Sequence, residues 1–137
     1  MEDRELIQKA KEARKMSYSP YSGFKVGAAL LTENDRIYQG CNIENAAYTP
    51  TNCAERTAFF KAISQGERNF KAIAIVGGYE GGRMDFCAPC GVCRQVMMEF
   101  CNPKRFRIIL ADDKGNTKSF TLGEMLPMGF GPNNLQE

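Results

Sequence analysis

The chain has 137 residues, of which 43% are hydrophobic and 25% are charged, a composition typical of a soluble globular protein. We expect one domain spanning residues 1–137, because this length supports a real core and leaves little room for a second. The net charge of +2 is too weak to indicate nucleic acid or a membrane surface as the main partner.

The chain opens with a predicted helix and a strand pair. Asp3 can cap the helix, which must end before Pro20 because the residue preceding a proline avoids the helical conformation. The pattern then changes to strand over residues 24–31, and a polar turn leads into a second strand over residues 37–43. These two strands are predicted to form a hairpin.

A second helix is predicted to begin near Cys53 and to end at Gly66. Thr51 or Asn52 is the candidate cap of this helix, since both side chains can accept from the exposed N–H groups of a first turn. Residues 72–76 are almost wholly apolar, as expected for a strand buried on both faces and paired in parallel.

The last third of the chain alternates again between helix and strand. A glycine-rich loop is expected over residues 77–82, followed by a helix over 90–101, strands over 107–111 and 118–121, and a helical turn over 122–126. The order α-β-β-α-β-α-β-β-α predicts an α/β protein whose sheet lies between helices.

Three cysteines are placed to hold a metal ion. Cys90 and Cys93 lie three residues apart on one helical turn, and Cys53 begins the other internal helix. Three protein ligands leave a fourth tetrahedral position open, which is typical of a catalytic zinc site. The exposed N–H groups at a helix start also stabilise thiolates.

Glu55 follows the proposed ligand Cys53 by two residues, so it lies near the metal and is free to act as a proton carrier. The pattern corresponds to the nucleobase deaminase signature H-x-E…P-C-x-x-C, with cysteine in place of histidine. Three thiolates and Zn²⁺ sum to a net negative charge, which weakens the metal as a Lewis acid. We therefore interpret Arg56 as a donor of hydrogen bonds to the sulfurs.

Other interpretations of the cysteines remain open at this point. Cys87, Cys90 and Cys93 together resemble three ligands of an iron–sulfur cluster, although Met97 stands where a ferredoxin-type run has its fourth cysteine. Cys87 could instead complete a structural four-cysteine zinc knot. A thioredoxin-like role for Cys90 and Cys93 explains neither Cys53 nor Glu55.

The sequence resembles the small homotetrameric cytidine deaminases over nearly its whole length. Five stretches carry the resemblance: YSPYSGFKVGAAL at 18–30, NIENAAY at 42–48, CAERTA at 53–58, PCGVCRQ at 89–95 and LPMGF at 126–130. The resemblance implies a three-layer α/β/α sandwich around a five-stranded mixed sheet. It also implies one Zn²⁺ per chain and hydrolysis of cytidine and deoxycytidine to uridine and deoxyuridine with release of ammonia.

The resemblance further implies roles for residues outside the metal site. Phe24 is expected to stack on the pyrimidine, Asn42 and Glu44 to hydrogen-bond the ribose hydroxyls, and the Ala54 backbone to hold the base. A carboxylate at position 44 also repels phosphate, which favours nucleosides over nucleotides. Two further residues are expected to reach the site of a neighbouring subunit, namely Tyr48 and Phe130.

The cellular location and the rival activities follow from the same residues. No export signal is visible and the six cysteines suit a reducing compartment, so we expect a cytoplasmic protein.

A deaminase of a cytosine-bearing antibiotic such as blasticidin S is the nearest rival activity, and the ribose-contacting stretch 42–45 counts against it. Editing of polynucleotides is less expected because no basic or aromatic tract is visible. A structural zinc or iron–sulfur module remains the alternative from another class.

Overall fold

The computed structural model describes residues 1–136 and contains one mixed five-stranded sheet with the order β2-β1-β3-β4-β5. The strands are β1 (Phe24–Thr32), β2 (Ile37–Cys41), β3 (Phe70–Tyr79), β4 (Arg107–Ala111) and β5 (Thr117–Thr121). The helices are α1 (Asp3–Arg14), α2 (Ala54–Ser64), α3 (Gly91–Phe100) and α4 (Leu122–Met125), and a 3₁₀ turn covers Pro132–Leu135. Only β3 and β4 run parallel, and the other pairs are antiparallel.

Helices cover both faces of the sheet, which confirms the predicted three-layer α/β/α sandwich. On one face α1 packs against alternate strand residues, among them Ala29, Leu31 and Val76. On the other face α2 and α3 pack against the intervening residues, such as Leu30 and Ile75. Burial on both sides explains why residues 72–78 of β3 are all apolar instead of alternating with polar residues.

Close backbone contacts set the positions of the helices on the sheet. A β-carbon at Gly27 would lie 2.1 Å from the Ala10 carbonyl oxygen of α1. A β-carbon at Gly40 would lie 2.4 Å from the Ala54 carbonyl oxygen of α2. Both helices therefore approach the sheet more closely than any side chain would permit, and the start of α2 is fixed over the end of β2.

The structure corrects two predicted caps and one strand end. Asp3 is the first residue of α1 and Glu2 is its N-cap, while Cys53, not Thr51 or Asn52, is the N-cap of α2. The second strand ends at Cys41 instead of continuing to residue 43. Neither N-cap residue makes a side-chain hydrogen bond to its helix, so the sequence rule for polar caps could not identify them.

The glycine-rich stretch is a strand at its beginning, so the predicted loop over residues 77–82 is wrong in part. Strand β3 continues through Gly77 and Gly78 to Tyr79. A β-carbon at Gly77 would lie 2.9 Å from the Cys87 sulfur, and one at Gly78 would lie 2.7 Å from the Arg83 carbonyl oxygen. These glycines allow the segment after β3 to fold back closely over the strand end.

Candidate metal centre and substrate pocket

The starts of α2 and α3 bring three sulfur atoms together. Cys53 and Cys90 are the N-caps of these helices, and Cys93 lies in the first turn of α3. The Cys53 and Cys90 sulfurs are 3.7 Å apart, and all three sulfurs lie within 4.8 Å of one another. Zn–S bonds of about 2.3 Å in a tetrahedron separate sulfurs by about 3.8 Å. The cluster therefore has the size that a zinc ion requires.

The protonation of the thiols also fits a metal site. Hydrogen bonds from the Cys93 thiol and from Arg56 hold the pKa of Cys53 at about 5, although burial opposes this shift. The hydrogen bond to Cys53 raises the pKa of Cys93 well above its usual value. The Cys53 sulfur is thus the one whose thiolate form the surrounding donors favour, and a thiolate is the form that binds a metal ion.

Arg56 lies beside the sulfur cluster, as expected for a residue that offsets its negative charge. Its Nη2 atom donates to the Cys53 sulfur at 3.3 Å. Its Nε atom is buried without a hydrogen-bond partner in the described part of the chain. The guanidinium therefore has a further donor available near the thiolates.

Glu55 is buried next to this cluster, with only 4% of its surface exposed. Burial raises the pKa of its carboxyl to about 7, because the charged form loses water, and the Cys53 thiolate adds to the effect. A carboxyl of this pKa can both accept and release a proton at neutral pH.

Cys87 lies outside the three-sulfur cluster. Its sulfur packs against Gly77 of β3, and burial raises the pKa of its thiol to about 11. The group of residues able to hold a metal within 1–136 contains only Cys53, Cys90 and Cys93. The geometry therefore favours three sulfur ligands over a four-cysteine knot.

Hydrogen bonds connect the predicted ribose-binding stretch to the metal site. Ile43 and Asn52 exchange two backbone hydrogen bonds of 2.9 Å, so this stretch runs alongside the residue that precedes Cys53. The Asn42 side chain accepts from Val26 N at 2.9 Å and donates to the Phe24 carbonyl oxygen at 2.8 Å. Phe24, Asn42 and the metal cluster therefore belong to one connected region.

Glu44 is fixed by the loop that precedes β1. One carboxylate oxygen accepts from the backbone N–H groups of Tyr21 at 2.9 Å and Ser22 at 3.1 Å, and the other accepts from the Ser22 hydroxyl. The Ser22 hydroxyl and these backbone donors hold the pKa of Glu44 below its usual range. Glu44 is therefore an ordered anion at the edge of the site.

Phe24 begins β1 and lies directly opposite Tyr79 in the register of β1 and β3. The two rings meet edge to face, with centroids 5.1 Å apart and planes at 87°. Ala54 is the first residue of α2, so its N–H has no partner within the helix. The Phe24 ring is thus held in place by Tyr79, and the Ala54 N–H is a donor without an acceptor inside its helix.

Tyr48 and Phe130 do not join the metal cluster within a single chain. Tyr48 is 73% exposed and Phe130 is 56% exposed. The Tyr48 ring meets the Tyr21 ring edge to face, with centroids 6.4 Å apart, and the Tyr48 backbone has a φ of 64°. Both rings are therefore directed away from the core of their own chain.

Sequence reasoning assigned no role to Ser22, Tyr79 or Arg94. Ser22 and Arg94 lie within the stretches that carry the family resemblance, which was the only available signal for them. No sequence pattern pointed to Tyr79, because Gly77 and Gly78 before it are typical of a loop, although β3 continues through them.

Comparisons with known proteins agree with this geometry. Residues 1–109 match the family model of the cytidine and deoxycytidylate deaminase zinc-binding region. The chain is similar to a cytidine deaminase of Sporosarcina psychrophila, with 51% identity over 98% of this chain and 96% of that protein. A second relative, a cytidine deaminase of Halalkalibacterium halodurans, is 44% identical over the whole of both chains. The crystal structure of cytidine deaminase from Burkholderia pseudomallei is similar with a TM-score of 0.87 and 45% identity, covering 95% of this chain and 100% of that one.

Proposed function

This chain belongs to the cytidine and deoxycytidylate deaminase family, and we propose that it hydrolyses the 4-amino group of cytidine and deoxycytidine, releasing ammonia and leaving uridine and deoxyuridine. The observation that carries this proposal is the three-sulfur cluster with a buried carboxyl beside it. A structural zinc site needs no such carboxyl, because a metal with four protein ligands performs no proton transfer.

Cys53, Cys90 and Cys93 hold the zinc ion. When bound, Zn²⁺ supplies a Lewis acid that makes a water molecule nucleophilic at neutral pH. The donation from Arg56 Nη2 to Cys53 withdraws part of the charge that three thiolates would otherwise place on the metal.

Glu55 carries the protons of the reaction. Its carboxylate takes a proton from the attacking water and delivers one to N3 of the pyrimidine as oxygen bonds to C4. It then takes the remaining proton from the oxygen bonded to C4 and passes it to the exocyclic amine. The C4 carbonyl forms as the C4–N bond breaks, and ammonia leaves. Burial at the start of α2 keeps these protons from exchanging with bulk water.

The substrate contacts are assigned from the ordered groups around the cluster. Phe24, packed perpendicular to Tyr79, stacks on the base, and the Ala54 N–H binds the base. Asn42 Nδ2 uses one hydrogen on the Phe24 carbonyl and keeps one for a ribose hydroxyl. The ionised Glu44 accepts from a second hydroxyl and disfavours a phosphate there.

The active form is proposed to be a homotetramer with shared sites. Tyr48 and Phe130 have exposed aromatic rings that do not reach the metal cluster of their own chain. Met128, two residues before Phe130, is fully exposed. Burial of these side chains against neighbouring copies explains their exposure in one chain.

We also infer a cytoplasmic location and no nucleic-acid or membrane partner. The six cysteines are all free, as a reducing compartment requires. The net charge of +2 gives little attraction to polyanions. No helix within residues 1–136 has the length and apolar character needed to cross a membrane.

A substrate panel tests the proposal. Cytidine and deoxycytidine should release ammonia, whereas cytidine monophosphate should react at a small fraction of their rate because Glu44 opposes the phosphate. Turnover of blasticidin S or single-stranded DNA in preference to cytidine would replace the nucleoside assignment with one of those activities. Glu44→Gln is the matched variant, and it should lower the discrimination between nucleoside and monophosphate.

A further inference from the structure

Helix α3 contacts two separate chain segments through the residues that follow Cys93. Arg94 Nε donates to the Pro89 carbonyl oxygen at 2.8 Å, and Arg94 Nη1 donates to the Met125 carbonyl oxygen at 2.7 Å. Gln95 Nε2 donates to the Phe130 carbonyl oxygen at 2.8 Å. One turn of the metal-ligand helix thus binds three backbone carbonyls outside itself.

The two acceptors of Arg94 belong to chain segments far apart in the sequence. Pro89 immediately precedes the ligand Cys90, so the bond to its carbonyl fixes the approach of the chain to the metal site. Met125 ends the four-residue helix α4, where a carbonyl lacks an intrahelical partner. A guanidinium suits this task because it is planar, remains charged and offers donors in several directions.

Segment 126–131 lies against α3. Its side chains at Met128 and Phe130 are exposed, and Met128 has a φ of 54°, a region that costs energy for a residue with a side chain. Two contacts join its middle and its end to α3, since Gln95 binds the Phe130 carbonyl and a β-carbon at Gly131 would lie 3.1 Å from the Met98 side chain. Its two ends also bond to neighbouring turns, through Leu126 N to Leu122 O and through Gly131 to Asn134. Between those ends, the exposed residues 127–130 have the Gln95 hydrogen bond to α3 as a tether.

We propose that Arg94 and Gln95 are positioning residues that couple zinc retention to the order of segment 126–131. Zinc fixes the start of α3 through Cys90 and Cys93, and the two side chains transmit that order to the segment. Coupling between two events is reciprocal, so an ordered segment must also strengthen zinc binding. The inference rests on the zinc site of the proposed function, and neither of its readouts requires turnover.

Wild-type protein provides the first test. Amide hydrogen exchange of residues 126–131 is compared between the zinc-loaded protein and the same protein after zinc removal by a chelator. We expect zinc removal to accelerate exchange in this segment by about 5–150-fold, the usual range of coupling between sites. Exchange should change little in β4, which lies in the core. Unchanged exchange over 126–131 would overturn the proposal, whereas failure to bind zinc at all would overturn the proposed function instead.

Variants provide the second test. Arg94→Met should weaken zinc by about 10–100-fold, measured by competition with a coloured chelator, and should accelerate exchange over 126–131 even when zinc is bound. Arg105→Met is the matched control, because Arg105 is an exposed arginine whose loss changes the charge equally. Gln95→Ala, at an exposed helix position, tests the same coupling if Arg94→Met fails to fold. Wild-type zinc affinity in both Arg94→Met and Gln95→Ala would contradict the proposal.

Discussion

Glu55 is the residue on which the proposed chemistry depends most. Its carboxyl is buried beside the sulfur cluster and is not one of the three groups able to hold the metal. Glu55→Gln preserves the shape of the side chain but removes its ability to carry a proton. The variant should therefore fold and bind zinc as the wild type does, while kcat falls by at least about 10²–10⁴-fold. A variant that keeps a tenth of the wild-type kcat would show that another group moves the protons.

Cys87 and Cys90 should differ in their effect on zinc, although only two residues separate them. The Cys87 sulfur packs against Gly77, whereas the Cys90 sulfur lies 3.7 Å from that of Cys53. Cys87→Ser should retain about one zinc per chain, and Cys90→Ser should lose most of it. Metal analysis of the two purified variants checks this. Loss of zinc from Cys87→Ser would favour a four-cysteine site.

The ligand pattern could be predicted at the residue scale because it depends on local spacing. Cys90 and Cys93 must share one helical turn, and Glu55 must lie near Cys53, whatever the rest of the fold. The anchoring of Glu44 by Ser22 could not be predicted, since it joins residues 22 positions apart through a loop conformation. The edge-to-face contact of Phe24 and Tyr79 likewise depends on the register of two strands distant in sequence.

At the scale of elements, the packing of α2 on β2 positions the first metal ligand. A methyl group at Gly40 would meet the backbone of Ala54 and Ala58 at 2.4–2.5 Å, and backbone atoms cannot give way as side chains do. Gly40→Ala should therefore lower the free energy of unfolding by about 3 kcal/mol or more, the upper range for overpacking. It should also weaken zinc binding, because Ala54 directly follows Cys53. Thermal unfolding and zinc titration measure the two effects.

Gly91→Ala is the control for that experiment. A β-carbon at Gly91 would meet nothing within 4 Å, and the residue also lies at the start of a helix. Its unfolding free energy should stay within about 0.5 kcal/mol of wild type, as for a surface substitution. Equal destabilisation by the two changes would refute the close-packing explanation.

The turn between β4 and β5 should give a pH-dependent contribution to stability. The Asp112 carboxylate accepts from Lys114 N, Asn116 N and Asn116 Nδ2 at 2.8–2.9 Å. The side-chain hydrogen bond from Asn116 is the main reason why the pKa of Asp112 lies below its usual value. Stability from this group is therefore fully present above the unfolded carboxyl pKa of about 3.9 and is lost as pH falls through the lower folded value.

Urea unfolding of Asp112→Asn against wild type measures this contribution. The difference in midpoint should be constant from pH 7 to pH 5 and should shrink towards pH 3. Glu99→Gln, at an exposed position, should show little difference at any pH. A difference for Asp112→Asn that does not change with pH would mean that the charge of Asp112 plays no part.

Element types were predictable from periodicity, but their ends were not. The apolar run in β3 indicated a buried strand. Gly77 and Gly78, which lie just before the end of this strand, are of a residue type that predicts a loop. They belong to the strand because they pair with Val26 and Lys25 of β1, and pairing between distant strands is not encoded in a local pattern.

At the scale of the whole molecule, shared sites predict complementation between inactive subunits. Phe130→Ala should raise KM for cytidine or weaken the oligomer, since its exposed ring is proposed to complete a neighbour's pocket. When Phe130→Ala and Glu55→Gln chains are dissociated together and reassembled, some sites combine an intact Glu55 with an intact Phe130. The mixture should then exceed the summed activity of the two variants at low cytidine.

Sedimentation provides the control for complementation, and it should find a tetramer for the wild type. A fully active monomer would refute the shared site. Summed activity without any gain, in a sample shown to contain mixed oligomers, would place Phe130 outside the catalytic pocket of its neighbours.

Cytidine is proposed to be deaminated at a zinc ion held by Cys53, Cys90 and Cys93. The most direct test of this proposal is the titration of Zn²⁺ into zinc-depleted protein while uridine formation from cytidine is followed. Uridine formation should be absent at the start, rise in proportion to added zinc and saturate at about one ion per chain. Full activity without zinc, or saturation with zinc without uridine formation, would contradict the account.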